Sequence, residues 1–279
     1  MRIVRTKSEL RDYLASMRRN RFDVGFVPTM GSLHAGHFSL IEAAVRESDK
    51  AVVSVFVNPA QFGPDEDYET YPRDLETDAE AIAALGAAVL FAPDAAEIYP
   101  AGDQARVTVG ELATKLCGGR RPGHFDGVTT VLAKLFHLVG PDRAYFGAKD
   151  AQQCVVVRRM VRDLEFGIEI RVLPTVREPD GLALSSRNVR LTPEGRTAAT
   201  ALHRGLRRVE ALRRTGEVVA DALRAAALAE IERERAVELE YLEVVDAETL
   251  DPTPVVERPT LVAVAAHVDG VRLIDNVTI

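Results

Sequence analysis

The sequence predicts an α/β fold in which a parallel sheet carries helices on both faces and a smaller α+β domain follows. Three observations carry that expectation. Short β-branched runs alternate with helical patterns over the first two-thirds of the 279 residues. The apolar run ending at Val27 stops at a Pro/Gly turn and delivers the chain to a helix start. Beyond Val176 the alternation gives way to long Arg/Glu/Ala-rich helices and then to strand-like runs. Alternation of this kind needs helical crossovers between parallel strands. With 47% hydrophobic and 28% charged residues, the composition is that of a soluble globular chain of one large or two modest domains.

In chain order, strands are expected at 24–27, 51–57, 88–91, 143–146 and 168–173, with helices at 38–48, 75–85, 128–139 and 151–164. Together they make a Rossmann-like domain over 1–175. Ligands of such open sheets sit beyond the carboxyl ends of the strands, where the turn after Val27 falls. The second domain, 176–279, is expected to hold helices at 194–214 and 219–235 and strands at 239–245, 260–267 and 271–274. Its Glu/Arg pairs at helical spacing read as solvated faces. The join, Arg177-Glu178-Pro179-Asp180-Gly181, is turn-forming and suits a hinge.

Several function classes are disfavoured. The net charge is -7 and no long Lys/Arg block is present, so the electrostatic footprint of a nucleic-acid binder is missing. No apolar signal core follows Met1-Arg2-Ile3-Val4-Arg5-Thr6, and no stretch approaches the roughly 20 apolar residues of a membrane span. The chain is therefore expected to be cytoplasmic, with no membrane partner. Cys117 and Cys154 form no Cys-x-x-Cys pair, which suits a reducing compartment and excludes a sulfur-rich metal site. There is no Gly-x-x-x-x-Gly-Lys-Ser/Thr loop and no Gly-x-Gly-x-x-Gly after the first expected strand, which disfavours a kinase producing ADP.

The turn after Val27 reads Pro28-Thr29-Met30-Gly31-Ser32-Leu33-His34-Ala35-Gly36-His37. A helix start favours anions such as phosphate, because its first N–H groups lack partners and its dipole is positive. Two imidazoles can add donors, while Gly31 and Gly36 allow a tight turn and close approach. The same histidines could instead cap the helix or pack beneath it. The next strand hands over to Asn58-Pro59-Ala60-Gln61-Phe62, whose amides recognise hydroxyl and carboxylate groups without adding charge. Asn58 could equally just stabilise the turn before Pro59.

Further along, Gly118-Gly119-Arg120-Arg121-Pro122-Gly123-His124-Phe125-Asp126-Gly127 makes an electropositive loop whose guanidinium forks match carboxylate or phosphate geometry. A solvated surface loop is the competing reading. After the strand at 143–146, Gly147-Ala148-Lys149-Asp150-Ala151-Gln152-Gln153 opens a helix. Asp150 suits a cap, whereas Lys149, one of five lysines, suits a helix start only where an anion sits. Leu184-Ser185-Ser186-Arg187-Asn188 offers hydroxyls and a guanidinium to a triphosphate, or serves as the cap of the next helix.

These five ordered segments resemble the pantothenate synthetase family, part of the nucleotidyltransferase superfamily marked by His-x-Gly-His. The resemblance runs from Val24 to Asn188. One departure is Leu184, where methionine is frequent; the two are near-isosteric. The resemblance implies ATP-dependent condensation of (R)-pantoate with β-alanine to pantothenate, through an enzyme-bound pantoyl adenylate, releasing AMP and pyrophosphate. It implies ATP as co-substrate with Mg²⁺, and a homodimer. By the same resemblance, His34, His37, Lys149, Ser185, Ser186 and Arg187 serve the phosphates, with His37 the choice for general acid. Pro28, Thr29, Met30, Gly31, Gly147, Asp150 and Val176 would hold the nucleotide.

Gln61 and Gln153 would hold pantoate, and Asn58, Arg121 and His124 would line the acyl-transfer side. Asp78 is a possible Mg²⁺ contact, its alternative being a solvated carboxylate on an acidic helix face. The acidic segment Pro64-Asp65-Glu66-Asp67 is expected to act as a flap over the pantoate pocket. Two readings from other classes stand beside this one: transfer of AMP to a phosphate acceptor, and a non-catalytic nucleotide-sensing module.

Overall fold

The computed structural model describes residues 1–64 and 66–279. No element is expected before residue 24, yet the chain opens with strand β1 (Arg2–Val4) and helix α1 (Lys7–Arg19). The signal is a capping box. Thr6 Oγ1 accepts the Glu9 N–H at 3.2 Å, and Glu9 Oε2 accepts the Thr6 N–H at 3.0 Å. Leu10, Leu14 and Met17, spaced three to four apart, then bury one face of the helix.

The remaining elements of the sheet domain follow the expected alternation: β2 (Val24–Thr29), α2 (Ala35–Glu47), β3 (Lys50–Val55), α3 (Leu75–Ala84), β4 (Val89–Phe91), the short α4 (Ala95–Ile98) and α5 (Leu116–Arg120), α6 (His124–Val139), β5 (Arg143–Gly147), α7 (Ala151–Asp163) and β6 (Glu169–Leu173). All six strands are parallel, in the order β1-β4-β3-β2-β5-β6. Successive strands run outward from β2 through β3 and β4 on one side. The chain then crosses to β5 and β6 on the other, so the order switches direction at β2.

Alternation along β2 sends side chains to both faces. Val27 packs with Leu40, Ile41 and Ala44 of α2 and with Val53 and Leu90. On the opposite face Phe26 meets Phe136 of α6 edge-on, with ring centroids 6.3 Å apart. Strand β3 stops at Val55 rather than at 57. The N–H of Phe56 still reaches Thr29 O, but Asn58 then caps a 3₁₀ turn at Pro59–Gln61.

The chain folds as two compact units. One comprises 1–114, 118–148 and 156–173; the other comprises 115–117, 149–155 and 174–279. The second is thus built from three stretches of chain. Its three antiparallel strands, β7 (Val237–Asp246), β8 (Thr260–Val268) and β9 (Val271–Thr278), follow helices α8 (Pro193–Ala198), α9 (Thr200–Arg214) and α10 (Ala220–Ile231). The helix expected at 194–214 is broken at Ala199 into α8 and α9. Leu202, Leu206 and Val209 of α9, Leu223 and Ile231 of α10, and Val262, Val264 and Ala266 of β8 share one core. Among the described residues no helix is long and apolar enough to cross a membrane.

The expected hinge at 177–181 is instead a pinned hairpin inside the second unit. Glu178 and Leu182 are joined by a backbone hydrogen bond, and Arg177 and Ala183 pair across the turn. Asp180 accepts both arms of Arg196 at 2.6 and 3.0 Å. Arg177 grips Asp275 of β9 with two bonds of 2.6 and 2.8 Å, and Asp275 is 4% exposed. These contacts tie the turn to α8 and β9. Removing one partner of a buried pair leaves an uncompensated charge. Arg177→Ala should therefore destabilise the protein by about 3–5 kcal/mol in urea denaturation, and joint replacement of Arg177 and Asp275 by leucine should recover much of that loss.

Candidate active site

The reversal of strand order at β2 leaves its carboxyl end, with those of β3 and β5, at the position where open sheets bind ligands. Three loops of the first unit leave from there. The first is the turn from β2 into α2. Thr29 is buried and its hydroxyl is committed to the turn, donating to Ser54 O at 2.8 Å and accepting the Gly31 N–H at 3.2 Å. Gly31 and Ser32 then take consecutive left-handed conformations, with φ of 84° and 53°. A Cβ at Gly31 would sit 2.8 Å from Asp78 Oδ2, so glycine is required there for space as well as for φ.

Both histidines of the motif cap the helix they introduce. His34 Nδ1 accepts the Gly36 N–H at 3.2 Å, and His37 Nδ1 accepts the His34 N–H at 3.3 Å. Capping is the alternative to an anion-binding role, but it fixes a chemical state rather than excluding that role. An Nδ1 that accepts carries no proton, so each neutral ring holds its proton on Nε2. The rings lie 4.2 Å apart, centroid to centroid.

The second loop follows β3. Asn58 is 1% exposed, and both ends of its amide are engaged. Oδ1 accepts the Tyr99 hydroxyl at 2.9 Å and the Ala60 N–H at 3.2 Å. Nδ2 donates to Gln61 Oε1 at 3.0 Å and to Gly127 O at 3.1 Å. Asn58, which the resemblance implies on the acyl-transfer side, is buried and holds Gln61 through the first of these bonds. Because Gln61 Oε1 faces Asn58, the Gln61 NH₂ is turned the other way, 3.1 Å from Met30 Sδ. A Cβ at Gly127 would meet Ala60 O at 2.1 Å, so only glycine lets α6 come this close to the turn. No sequence signal singles out Tyr99. Burial pushes its hydroxyl up to about 12, so it stays protonated to donate.

The third loop leads into α6. His124 Nδ1 donates to Gln61 O at 2.7 Å, and its Nε2 accepts Arg121 Nη1 at 3.0 Å, the opposite tautomer to His34 and His37. Arg121 Nε and Nη2 hold Glu66 in a bidentate fork, each bond 2.6 Å. Of the expected flap, Asp65 lies outside the described residues, while Glu66 is tied to Arg121. Gly147, at the end of β5, has open space where a Cβ would stand.

Asp78 is not the solvated carboxylate that the sequence offers as one reading. It is 4% exposed, and its oxygens accept the N–H groups of Ser32 and Leu33 at 2.9 and 2.8 Å. Among the described residues no group of three or more His, Cys, Asp and Glu could hold a metal ion.

The other expected site residues belong to the second unit. Lys149 is half-buried and Asp150 exposed in a 3₁₀ turn at Ala148–Asp150, where the Lys149 carbonyl accepts Asn276 Nδ2 at 2.8 Å. Gln153 is half-buried, whereas the neighbouring Gln152 is buried and bridges Cys117 N and Lys115 O. Val176 accepts the Leu184 N–H at 3.0 Å across the pinned hairpin. Ser185, Ser186 and Arg187 follow it half-buried, the Arg187 N–H reaching Ser185 Oγ at 3.3 Å.

Two outcomes follow from this geometry. Asn58→Asp keeps the shape of the side chain but turns an acceptor toward Gln61 Oε1 and Gly127 O; it should cost about 3 kcal/mol or more in urea denaturation. Glu66 lies below its ordinary value of 4.5: burial raises it, but the Arg121 fork and the Gly63 amide lower it further. A depressed carboxylate stabilises fully above its unfolded value, and that contribution is lost as pH falls through the folded value. Glu66→Gln should therefore melt below the parent at neutral pH, and the gap should close below pH 4.5 when Tm is followed against pH.

The family described as pantoate-beta-alanine ligase matches residues 2–278. Pantothenate synthetase of Moorella thermoacetica is 50% identical over 279 residues, covering 100% of this chain and 99% of its own. That of Thermotoga neapolitana is 50% identical over 276 residues, covering 99% of each. The crystal structure of pantothenate synthetase from Thermus thermophilus superposes with a TM-score of 0.95 at 50% identity, over 99% of both chains. A Francisella tularensis pantoate-beta-alanine ligase, solved in complex with beta-gamma ATP and beta-alanine, matches with a TM-score of 0.79 at 35% identity, over 100% of this chain and 97% of that one. With the parallel sheet, the double-histidine turn and the amide network in place, these likenesses settle the assignment: the chain belongs to the pantoate-beta-alanine ligase family.

Proposed function

We propose that the protein condenses (R)-pantoate with β-alanine at the expense of ATP, through an enzyme-bound pantoyl adenylate. A pantoate carboxylate oxygen attacks the α-phosphorus and pyrophosphate leaves. The amine of β-alanine then attacks the acyl carbon, AMP departs and the amine gives up a proton. The Francisella relative, solved with an ATP compound and β-alanine, supports the choice of co-substrates. A carboxylate approaching a polyanionic triphosphate is a weak nucleophile facing repulsion. Catalysis of this step rests on positioning and on donors aimed at developing charge, with no covalent protein nucleophile.

The observation that carries the reading is the pair of imidazoles at the end of β2, each with Nδ1 engaged and its proton on Nε2. His34 and His37 are proposed as Nε2–H donors to the phosphates, with His37 the general acid. Lys149, Ser185, Ser186 and Arg187 supply the remaining donors and positive charge. Pro28, Met30, Gly31, Gly147, Asp150 and Val176 are proposed around the nucleotide. Gln61 holds pantoate by donating from its NH₂, the orientation Asn58 imposes, and Gln153 joins it. Arg121 and His124 serve the acyl-transfer side. The smaller unit is proposed to act as a lid, and the protein to be a cytoplasmic homodimer.

The reading is tested by product analysis with Mg-ATP, pantoate and β-alanine, each omitted in turn. AMP and pantothenate should form only when all three are present. ADP formation, AMP transfer to another acceptor, or nucleotide binding without turnover would overturn it. Lys149→Ala should lower kcat by about 10²-fold or more, equivalent to about 2.7 kcal/mol or more, with an unchanged melting temperature.

A further inference from the structure

We propose that Asp78 is the positioning residue of the double-histidine turn, acting on His34 and His37 through the backbone rather than through a metal ion. Three observations carry this. The carboxylate is 4% exposed, so its charge is sustained by partners rather than by water. Those partners are two successive amides, Ser32 N at 2.9 Å and Leu33 N at 2.8 Å, one to each oxygen. The two amides belong to the segment that leaves the left-handed pair Gly31 and Ser32, with φ of 84° and 53°. Ser32 is not glycine, and a left-handed conformation costs it free energy that the charge-assisted bonds offset.

The geometry explains why the clamp must come from outside the loop. Gly31 N is taken by Thr29 Oγ1, and the His34 and Gly36 N–H groups are taken by the histidine rings. Ser32 N and Leu33 N are taken by Asp78, from outside the turn. Asp78 reaches them from the first turns of α3, whose start is fixed by Asp74 accepting the Thr77 N–H at 3.1 Å. Leu33 directly precedes His34, so releasing its N–H frees the first ring of the pair to move. Displacements on the order of 1 Å at a catalytic group cost about 10²-fold in rate. Each oxygen of the carboxylate is engaged by one backbone N–H of the turn.

This inference rests on the reading that the histidines serve the phosphates, and its test separates the two. Asp78→Asn keeps the shape but offers only one acceptor to two N–H donors. It should lower kcat on the order of 10- to 100-fold and leave the half-saturating Mg²⁺ concentration unchanged at saturating ATP. It should also accelerate hydrogen exchange at the Ser32 and Leu33 amides, read without nucleotide. A raised Mg²⁺ requirement with unchanged exchange, or parental kinetics and exchange, would overturn the proposal. Should Asp78→Asn not fold, hydrogen exchange of the parent protein decides: both amides should be protected equally in EDTA and in Mg²⁺, and protection that requires Mg²⁺ sinks the idea. His34→Ala tests the phosphate reading separately, because unchanged turnover in that variant removes the histidines whatever Asp78 does.

Discussion

A parallel sheet whose strand order reverses at β2 places a demand that the rest of the first unit meets. Strands β3 and β5 both pair with β2, but their connections run to opposite sides, so no crossover covers the carboxyl end between them. The loops that leave these strands must supply their own support there, because backbone donors and acceptors without partners are costly away from water. Asp78 supports the first loop in this way, and Asn58 ties the second to α6.

The support has chemical consequences beyond stability. A histidine ring takes its tautomer from whichever nitrogen is already engaged, and this site uses both outcomes. His34 and His37 accept at Nδ1 and so hold their protons at Nε2, whereas His124 donates from Nδ1 to a carbonyl and accepts at Nε2. The amide of Gln61 is likewise given a direction by Asn58, whose own direction is set by a backbone N–H on one end and a backbone carbonyl on the other. Groups fixed in this way need little reorganisation when charge develops nearby, which is where electrostatic catalysis gains most.

Much of the architecture is legible in the sequence because its signals are local. Apolar runs broken by Gly and Pro locate the inner strands, and the five loop motifs carry the family resemblance on their own. The capping box at Thr6 and Glu9 is equally local and announces a helix that strand alternation alone passes over. The features that mislead are those whose partners lie far along the chain. The cluster at 177–181 has the composition of a hinge, and its ties to Asp275 and Arg196 lie outside any local pattern. Glu66, Tyr99 and Asp78 act on residues 41 to 55 positions away in sequence, and no spacing rule pairs them.

By itself, then, the sequence determined the fold class, the family and the residue types available for phosphate and carboxylate recognition, because periodicity, turn chemistry and contiguous motifs are properties of neighbouring residues. Tertiary structure alone decided which of those residues face inward. Asn58 and Gln61 are three positions apart and chemically alike, yet four hydrogen bonds hold the first in the interior, and one of them directs the NH₂ of the half-buried second toward Met30 Sδ. The role of a polar side chain is set by the partners that satisfy it, and those partners come together only when the chain folds.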